Sequence, residues 1–177
     1  DFSRAGPGGL GAAKTGANYA ASLLAEKEAN KAGFTQVLWL DAAERRYIEE
    51  VGSMNILFKI DGPVITPPQG DTILGGITKN SVLQLLNSWG VPTEERSLPI
   101  DEVLQAHANG TLEEVFGAGT AAVISPVGQL SYEGKNYDIA EGKTGPTALK
   151  LFDELMGIQY GQKPDPFDWV TEVTPRS

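Results

Sequence analysis

The chain has 177 residues, 41% of them hydrophobic, and its 14 basic against 23 acidic side chains leave a net charge of −9. That is enough apolar material for one folded core, and the charge has the wrong sign for nucleic acid or an anionic membrane as partner. With no cysteine and one histidine, disulfides, thiolate metal sites, histidine-dependent triads and zinc centres are excluded. No apolar run is long enough to span a bilayer and nothing resembles a signal peptide, so a cytoplasmic location is expected.

In chain order the first feature is a glycine-rich run, Gly6-Pro7-Gly8-Gly9-Leu10-Gly11-Ala12-Ala13-Lys14-Thr15-Gly16. A helix is predicted over 18–32, with Ala21, Leu24, Ala25 and Ala32 near helical spacing and Gly33 as its stop. Short strands at 36–41 and 47–50 precede a strand over 55–60, which turns at Asp61-Gly62 into 64–66. Pro67-Pro68 opens a loop running to Gly75-Gly76-Ile77-Thr78, where an amphipathic helix over 78–89 carries Val82, Leu83, Leu85 and Leu86 inward. A strand over 93–98 and a helix over 101–109, capped by Asp101, follow. His107 then reads as a solvated residue on that helix. Glu114-Val115-Phe116 leads into a small-residue turn, Gly117-Ala118-Gly119-Thr120-Ala121. Strands at 122–124 and 129–132 and a helix over 147–159 complete the pattern, and Phe167 and Trp169 are expected to dock a Pro-rich tail over 163–177. Strands and helices mix without the regular alternation of a doubly wound sheet, which gives an α+β class.

Lys14 has no acidic neighbour between Asp1 and Glu26, and its small flanking residues allow backbone to pack around its stem. Burial disfavours the ammonium form and makes a lysine nucleophilic, so a desolvated Lys14 is expected; the alternative is a lysine on an exposed loop. Two phosphate-binding patterns nearly fit the same run. Gly6-x-Gly8-x-x-Gly11 has the dinucleotide spacing but no strand before it. Gly8-x-x-x-x-Ala13-Lys14-Thr15 is one residue from a P-loop, with Ala13 where glycine is needed and again no preceding strand.

A third chemistry draws on the rest of the chain. Pyridoxal 5'-phosphate needs a lysine, an acid facing its ring nitrogen and a cup for its phosphate. Glu50 lies in Ile48-Glu49-Glu50-Val51-Gly52-Ser53-Met54-Asn55, where small residues admit a flat ring; a solvated strand edge would also carry two glutamates. Gly75-Gly76-Ile77-Thr78 sets backbone N–H groups and a hydroxyl at a helix start, which binds an anion or merely caps the helix. Gly117-Ala118-Gly119-Thr120-Ala121 is a second such nest, or an ordinary tight turn.

Together these segments resemble the branched-chain amino acid aminotransferases of fold type IV. Gly16-Ala17-Asn18-Tyr19 after Lys14, Trp39-Leu40-Asp41, Glu49-Glu50-Val51-Gly52-Ser53-Met54-Asn55, Thr66-Pro67-Pro68, Gly76-Ile77-Thr78, Glu114-Val115-Phe116, Gly119-Thr120-Ala121 and Ile158-Gln159-Tyr160-Gly161 fall in the family's order. The resemblance covers nearly all of 1–177, but only the larger, C-terminal domain of that enzyme; a smaller N-terminal domain is absent. It implies a mixed sheet curled into a pseudo-barrel with flanking helices, a homodimeric parent and a place in branched-chain amino acid biosynthesis. The implied reaction moves the amino group of leucine, isoleucine or valine to 2-oxoglutarate.

By the same resemblance, Lys14 bonds the cofactor and then moves a proton at the substrate Cα. Glu50 pairs with the ring nitrogen and Tyr19 with the phenolic oxygen. Ile77, Thr78 and Thr120 hold the phosphate, Leu74 and Gly76 flank the ring, and Arg4 lies on the phosphate side. Thr120 and Ala121 receive the substrate carboxylate, with Ser53 at the pocket edge and Tyr19 orienting substrate. Ala17, Gly75 and Lys79 depart from the family's glycine, proline and arginine, and Ala122 and Ser125 stand where some members carry a redox-active cysteine pair. A D-amino acid transaminase, an aminodeoxychorismate lyase, a P-loop protein and a non-catalytic interaction module are the competing readings.

Overall fold

A segment such as Met54–Ile60, apolar at almost every position, is stable as a strand only when both faces are covered. In the computed structural model, which describes residues 2–173, it is the central strand of a seven-stranded sheet. The elements are α1 (Gly16–Lys31), β1 (Leu38–Leu40), β2 (Ile48–Val51), β3 (Met54–Ile60), β4 (Val64–Thr66), α2 (Ile77–Ser88), β5 (Thr93–Glu95), α3 (Ile100–Ala108), β6 (Leu112–Gly119), β7 (Val123–Pro126), β8 (Gln129–Tyr132), β9 (Lys135–Asp138), a 3-10 turn (Ala140–Gly142) and α4 (Pro146–Gln159).

β3 gives one edge to β6, from Asn55 opposite Ala118 to Ile60 opposite Leu112. The other edge is divided. Glu50 and Val51 of β2 face Asn55 and Met54, whereas Ile65 and Val64 of β4 face Phe58 and Lys59. Between the two partners the edge opens, and Thr66 Oγ1 donates to the Ile56 carbonyl at 2.7 Å. The loop from β4 to α2 returns to this opening, where it meets Glu50 and Asn55. β4 and β5 are parallel, the other sheet pairs antiparallel, so the sheet is mixed. The expected α+β class, a mixed sheet with flanking helices, is the class observed.

Alternation along β3 and β6 separates two cores. Leu57 and Phe116 join Val82, Leu85 and Leu86 of α2 and Leu151, Leu155 and Ile158 of α4. Ile56, Phe58 and Val115 turn the other way, toward Leu98, Ile100 and Val103 and toward Leu130 and Ile139. Phe167 and Trp169 stack with ring centroids 4.4 Å apart and pack on the first core, docking the tail as expected. Asp1 and residues 174–177, which include the tail's end, lie outside the described residues.

Several local expectations are corrected. α3 starts at Ile100 with Pro99 in the N-cap position, because the buried Ile100 gives its N–H to the Arg46 carbonyl at 2.8 Å; Asp101 therefore sits in the first turn and caps nothing. Gly117 to Gly119 is the end of β6, not a turn, and the small residues there are set by Met54: a Cβ on Gly119 would lie 2.9 Å from Met54 Cγ. The strand over 93–98 stops at Glu95, since Leu98 turns away to accept the Ile48 N–H. His107 is half-buried, its ring edge against Tyr137 and its Nε2 2.9 Å from the Asp138 carbonyl, so it ties α3 to β9.

Candidate active site

The glycine-rich run is a knotted loop rather than a free one. Ala13 N–H donates to the Leu10 carbonyl and Ala12 N–H to the Asp71 carbonyl, at 2.9 and 3.0 Å. Asn18, in the first turn of α1, sends its amide back to the Leu10 and Ala13 carbonyls at 2.8 and 2.9 Å. A Cβ on Gly11 would meet the Thr72 backbone at 2.4 Å, so only glycine lets the 6–15 and 71–74 loops approach this closely. Lys14 is carried at the surface of this support, its Nζ 5.8 Å from the Tyr19 ring centroid. The expected desolvation of Lys14 is not met within this chain: the small residues pack against the 71–74 loop and leave the lysine stem exposed.

Glu50 is the opposite case. It lies only 3% exposed, and its carboxylate is held from three sides. Leu74 N–H donates to Oε1 at 3.0 Å, the Asn55 amide approaches the same oxygen at 3.5 Å, and Arg4 Nε lies 2.5 Å from Oε2. Burial pushes Glu50 up to about 7, against the pull of the Arg4 guanidinium and the Leu74 N–H. The adjoining Glu49 is also buried and raised by burial; it takes the Thr72 hydroxyl on Oε1 at 2.5 Å, while Oε2 has no partner. Both glutamates thus depart from the solvated-edge alternative, because the 71–74 loop covers them. Arg4 contacts Glu50 and the Gly11 and Thr72 carbonyls.

α2 begins directly after Gly76, and no side chain caps it. Its first N–H groups therefore lack intrahelical partners and, with the helix dipole, favour an anion. Ile77 is 82% exposed and Thr78 half-buried there. A Cβ on Gly76 would sit 1.9 Å from Asn55 Oδ1, so this backbone is drawn against the Glu50–Asn55 pair as only glycine permits. Lys79, which follows, is buried and bonds Glu95 at 2.9 Å and the Pro67 carbonyl at 3.3 Å, so it holds the loop from beneath.

Ser53, in the turn between β2 and β3, is exposed, as are Thr120 and Ala121 between β6 and β7. The register of Asn55 opposite Ala118 carries both turns to the same end of the sheet. Arg4, Tyr19, Glu50, Ser53 and Leu74 share one small recess of about 20 Å³. A larger cavity, about 620 Å³, opens beside Val51 and Met54 and takes in none of the expected site residues.

The residue set fits a phosphorylated, nitrogen-protonated ring: a braced anion, a clash-defined glycine at an uncapped helix start, and a free amine. Asn18, Asn55 and Thr72 are the supporting residues that sequence reasoning passed over. Asn18 and Asn55 were within reach, since each lies in a segment that carries the family likeness, but nothing around Thr72 marks it.

A family model of amino-transferase class IV matches residues 3–130. Branched-chain-amino-acid aminotransferase 2 of Bacillus subtilis (strain 168) is 56% identical over 173 residues, covering 98% of this chain and 48% of the relative. The branched-chain-amino-acid aminotransferase of Mycobacterium tuberculosis is 46% identical over 177 residues, with 98% and 48% covered. Among solved structures, the Escherichia coli branched-chain amino acid aminotransferase superposes with a TM-score of 0.81 at 31% identity, covering 98% of this chain and 54% of that one. A T.th. branched-chain amino acid aminotransferase complexed with N-(5'-phosphopyridoxyl)-L-glutamate gives 0.80 at 31% identity, with 97% and 53% covered. The chain spans about half the length of the curated relatives it matches. Since the class IV model takes in the lysine loop, the Glu50 strand, the start of α2 and Thr120 alike, the chain belongs to the class IV aminotransferase family.

Proposed function

We propose that residues 1–177 form the cofactor-bearing large domain of a pyridoxal-phosphate transaminase that moves the amino group of leucine, isoleucine or valine to 2-oxoglutarate. The observation that carries this reading is the buried Glu50 carboxylate, braced by Arg4 and the Leu74 N–H and facing the same recess as Tyr19. The 56% identity to a branched-chain aminotransferase supports the substrate class.

Pyridoxal phosphate, when bound, supplies an aldehyde that takes up the amino group and a ring that accepts electrons released at the substrate Cα. The chain's own residues do the rest. Lys14 Nζ holds and moves the proton at that carbon. Glu50 would keep the ring nitrogen protonated through the charge of its carboxylate, the form that the Arg4 guanidinium and the Leu74 N–H favour against burial. Tyr19 donates toward the phenolic oxygen and orients substrate. Ile77 and Thr78, with Thr120, would hold the phosphate, Leu74 and Gly76 would flank the ring, Thr120 and Ala121 would receive the substrate carboxylate, and Ser53 would edge the pocket.

Lys14 is exposed, so the water-excluding wall comes from outside this chain. α1 points Leu23 and Leu24 outward at 63% and 56% exposure while burying Ser22 and Ala25, an inverted helix that favours a covering surface. We assign that cover to the remaining half of the protein and to the second subunit of a homodimer working in the cytoplasm. An amino-donor screen on the full-length protein tests the reading: branched L-amino acids are expected to exceed D-alanine and other donors, and a preference for D-amino acids would reject it.

A further inference from the structure

We propose that Arg4 is a positioning residue that favours the ionised Glu50 carboxylate and sets the spacing between Glu50 and the Lys14 loop. The proposal rests on the transaminase reading for its purpose, but its geometry is made by this chain's own residues.

One guanidinium makes all the connections. Nε lies 2.5 Å from Glu50 Oε2, Nη2 donates to the Gly11 carbonyl at 3.2 Å, and Nη1 donates to the Thr72 carbonyl at 3.0 Å. Gly11 belongs to the loop that carries Lys14, and Thr72 to the loop whose Leu74 N–H holds the other Glu50 oxygen. Arg4 therefore joins the two loops and the acid at a single point. A planar fork does this and a lysine does not, because the three acceptors are each met by a different nitrogen of the guanidinium, and an ammonium has only one.

The charge balance around Glu50 is asymmetric. It feels Arg4 and the Leu74 N–H in contact, Lys79 at longer range, and Glu49 as a like charge. Lys79 is already paired with Glu95. Glu49 faces Thr72, Asp41, Asp71 and Arg4, and its contact is the Thr72 hydroxyl, with Oε2 unpartnered. Arg4 is thus the one cation in contact with the buried glutamate pair among the described residues, and its contact goes to Glu50. Burial alone would protonate that carboxylate, and a neutral acid would lose its charge attraction for a ring N–H.

The test follows the Glu50 carboxyl by carbon-13 NMR through a pH titration of the cofactor-free chain, in parent, Arg4→Gln and Arg4→Lys forms. Arg4→Gln is expected to raise the Glu50 midpoint by about 1–2 pH units. Arg4→Lys is expected to restore most of that shift, yet still bind pyridoxal phosphate roughly tenfold more weakly, because it keeps the charge and loses the fork. In the parent chain the Arg4 Nε–H resonance should move with the same midpoint as Glu50, a readout that needs no variant to fold. An unmoved Glu50 midpoint in folded Arg4→Gln, or an Arg4 Nε–H signal indifferent to the titration, would overturn the proposal. The transaminase reading fails separately, if the parent chain forms no Lys14-dependent visible band with pyridoxal phosphate.

Discussion

Glu50 and Asn55 face each other across β2 and β3, and together they grip one peptide group on each side of Leu74: its N–H goes to Glu50 at 3.0 Å and its carbonyl takes the Asn55 amide at 2.9 Å. The pair acts as a strand edge made from side chains. It fills the opening between β2 and β4 and brings the start of α2 to the acid. Glu50, Asn55, Leu74 and the start of α2 are consequently one structural unit.

Gly76→Ala tests that unit. The added Cβ would displace Asn55 Oδ1, 1.9 Å away, and release Leu74 with it. A stability loss of about 1–3 kcal/mol is expected in denaturant unfolding, with a clear loss of pyridoxal-phosphate affinity. Gly75→Ala is the control, since its Cβ meets only the flexible Gln69 side chain at 2.7 Å. Equal effects from the two substitutions would remove the special role assigned to Gly76.

Glu50 also sets a pH dependence. Its folded-state value of about 7 exceeds the 4.5 of a free glutamate, so the folded chain retains a proton that the unfolded chain has lost between those values. The stabilisation is complete below pH 4.5 and disappears as pH rises toward 7. Glu50→Gln removes this titration. Its stability relative to the parent chain should therefore rise by about 2–3 kcal/mol from pH 5 to pH 8, read from melting curves at each pH. Parallel curves for the two chains would show that Glu50 ionises normally in the fold.

How far these relationships could be read in advance depends on their range along the chain. β3, β4 and the body of α2 were legible because apolar spacing and turn residues are local, and Glu50 was marked by the small residues after it. Arg4's partner was not, since nothing near Arg4 names a carboxylate on β2. β9 was missed because Lys135, Asn136 and Asp138 carry no strand pattern; its pairing with β8 supplies the order. The Gly117 to Gly119 run looked like a turn because glycine serves both turns and close approach, and only Met54 tells which applies. Lys14 is exposed, the alternative its own segment left open, because Gly11 packs against the Thr72 backbone while the lysine stem stays at the surface.

Glu114 offers a stability test remote from the cofactor site. Its buried carboxylate accepts the Thr147 and Ala148 N–H groups at 2.9 and 3.0 Å, so a β6 residue caps α4 in place of Gly145. Glu114→Gln trades one acceptor for an amide that faces those donors, and a loss of about 1–3 kcal/mol is expected. Pyridoxal-phosphate binding by the folded fraction should be unchanged. If unfolding shifts by less than measurement error, the cap contributes nothing to the fold.

The most direct measurement is the visible absorption spectrum of the chain after mixing with pyridoxal phosphate and dialysis, with Lys14→Ala alongside. Lys14 is exposed and its loop is held by other residues, so Lys14→Ala should fold normally. The account predicts a retained visible band in the parent chain that is missing from Lys14→Ala. Retention of the same band by both chains, or by neither, would contradict it.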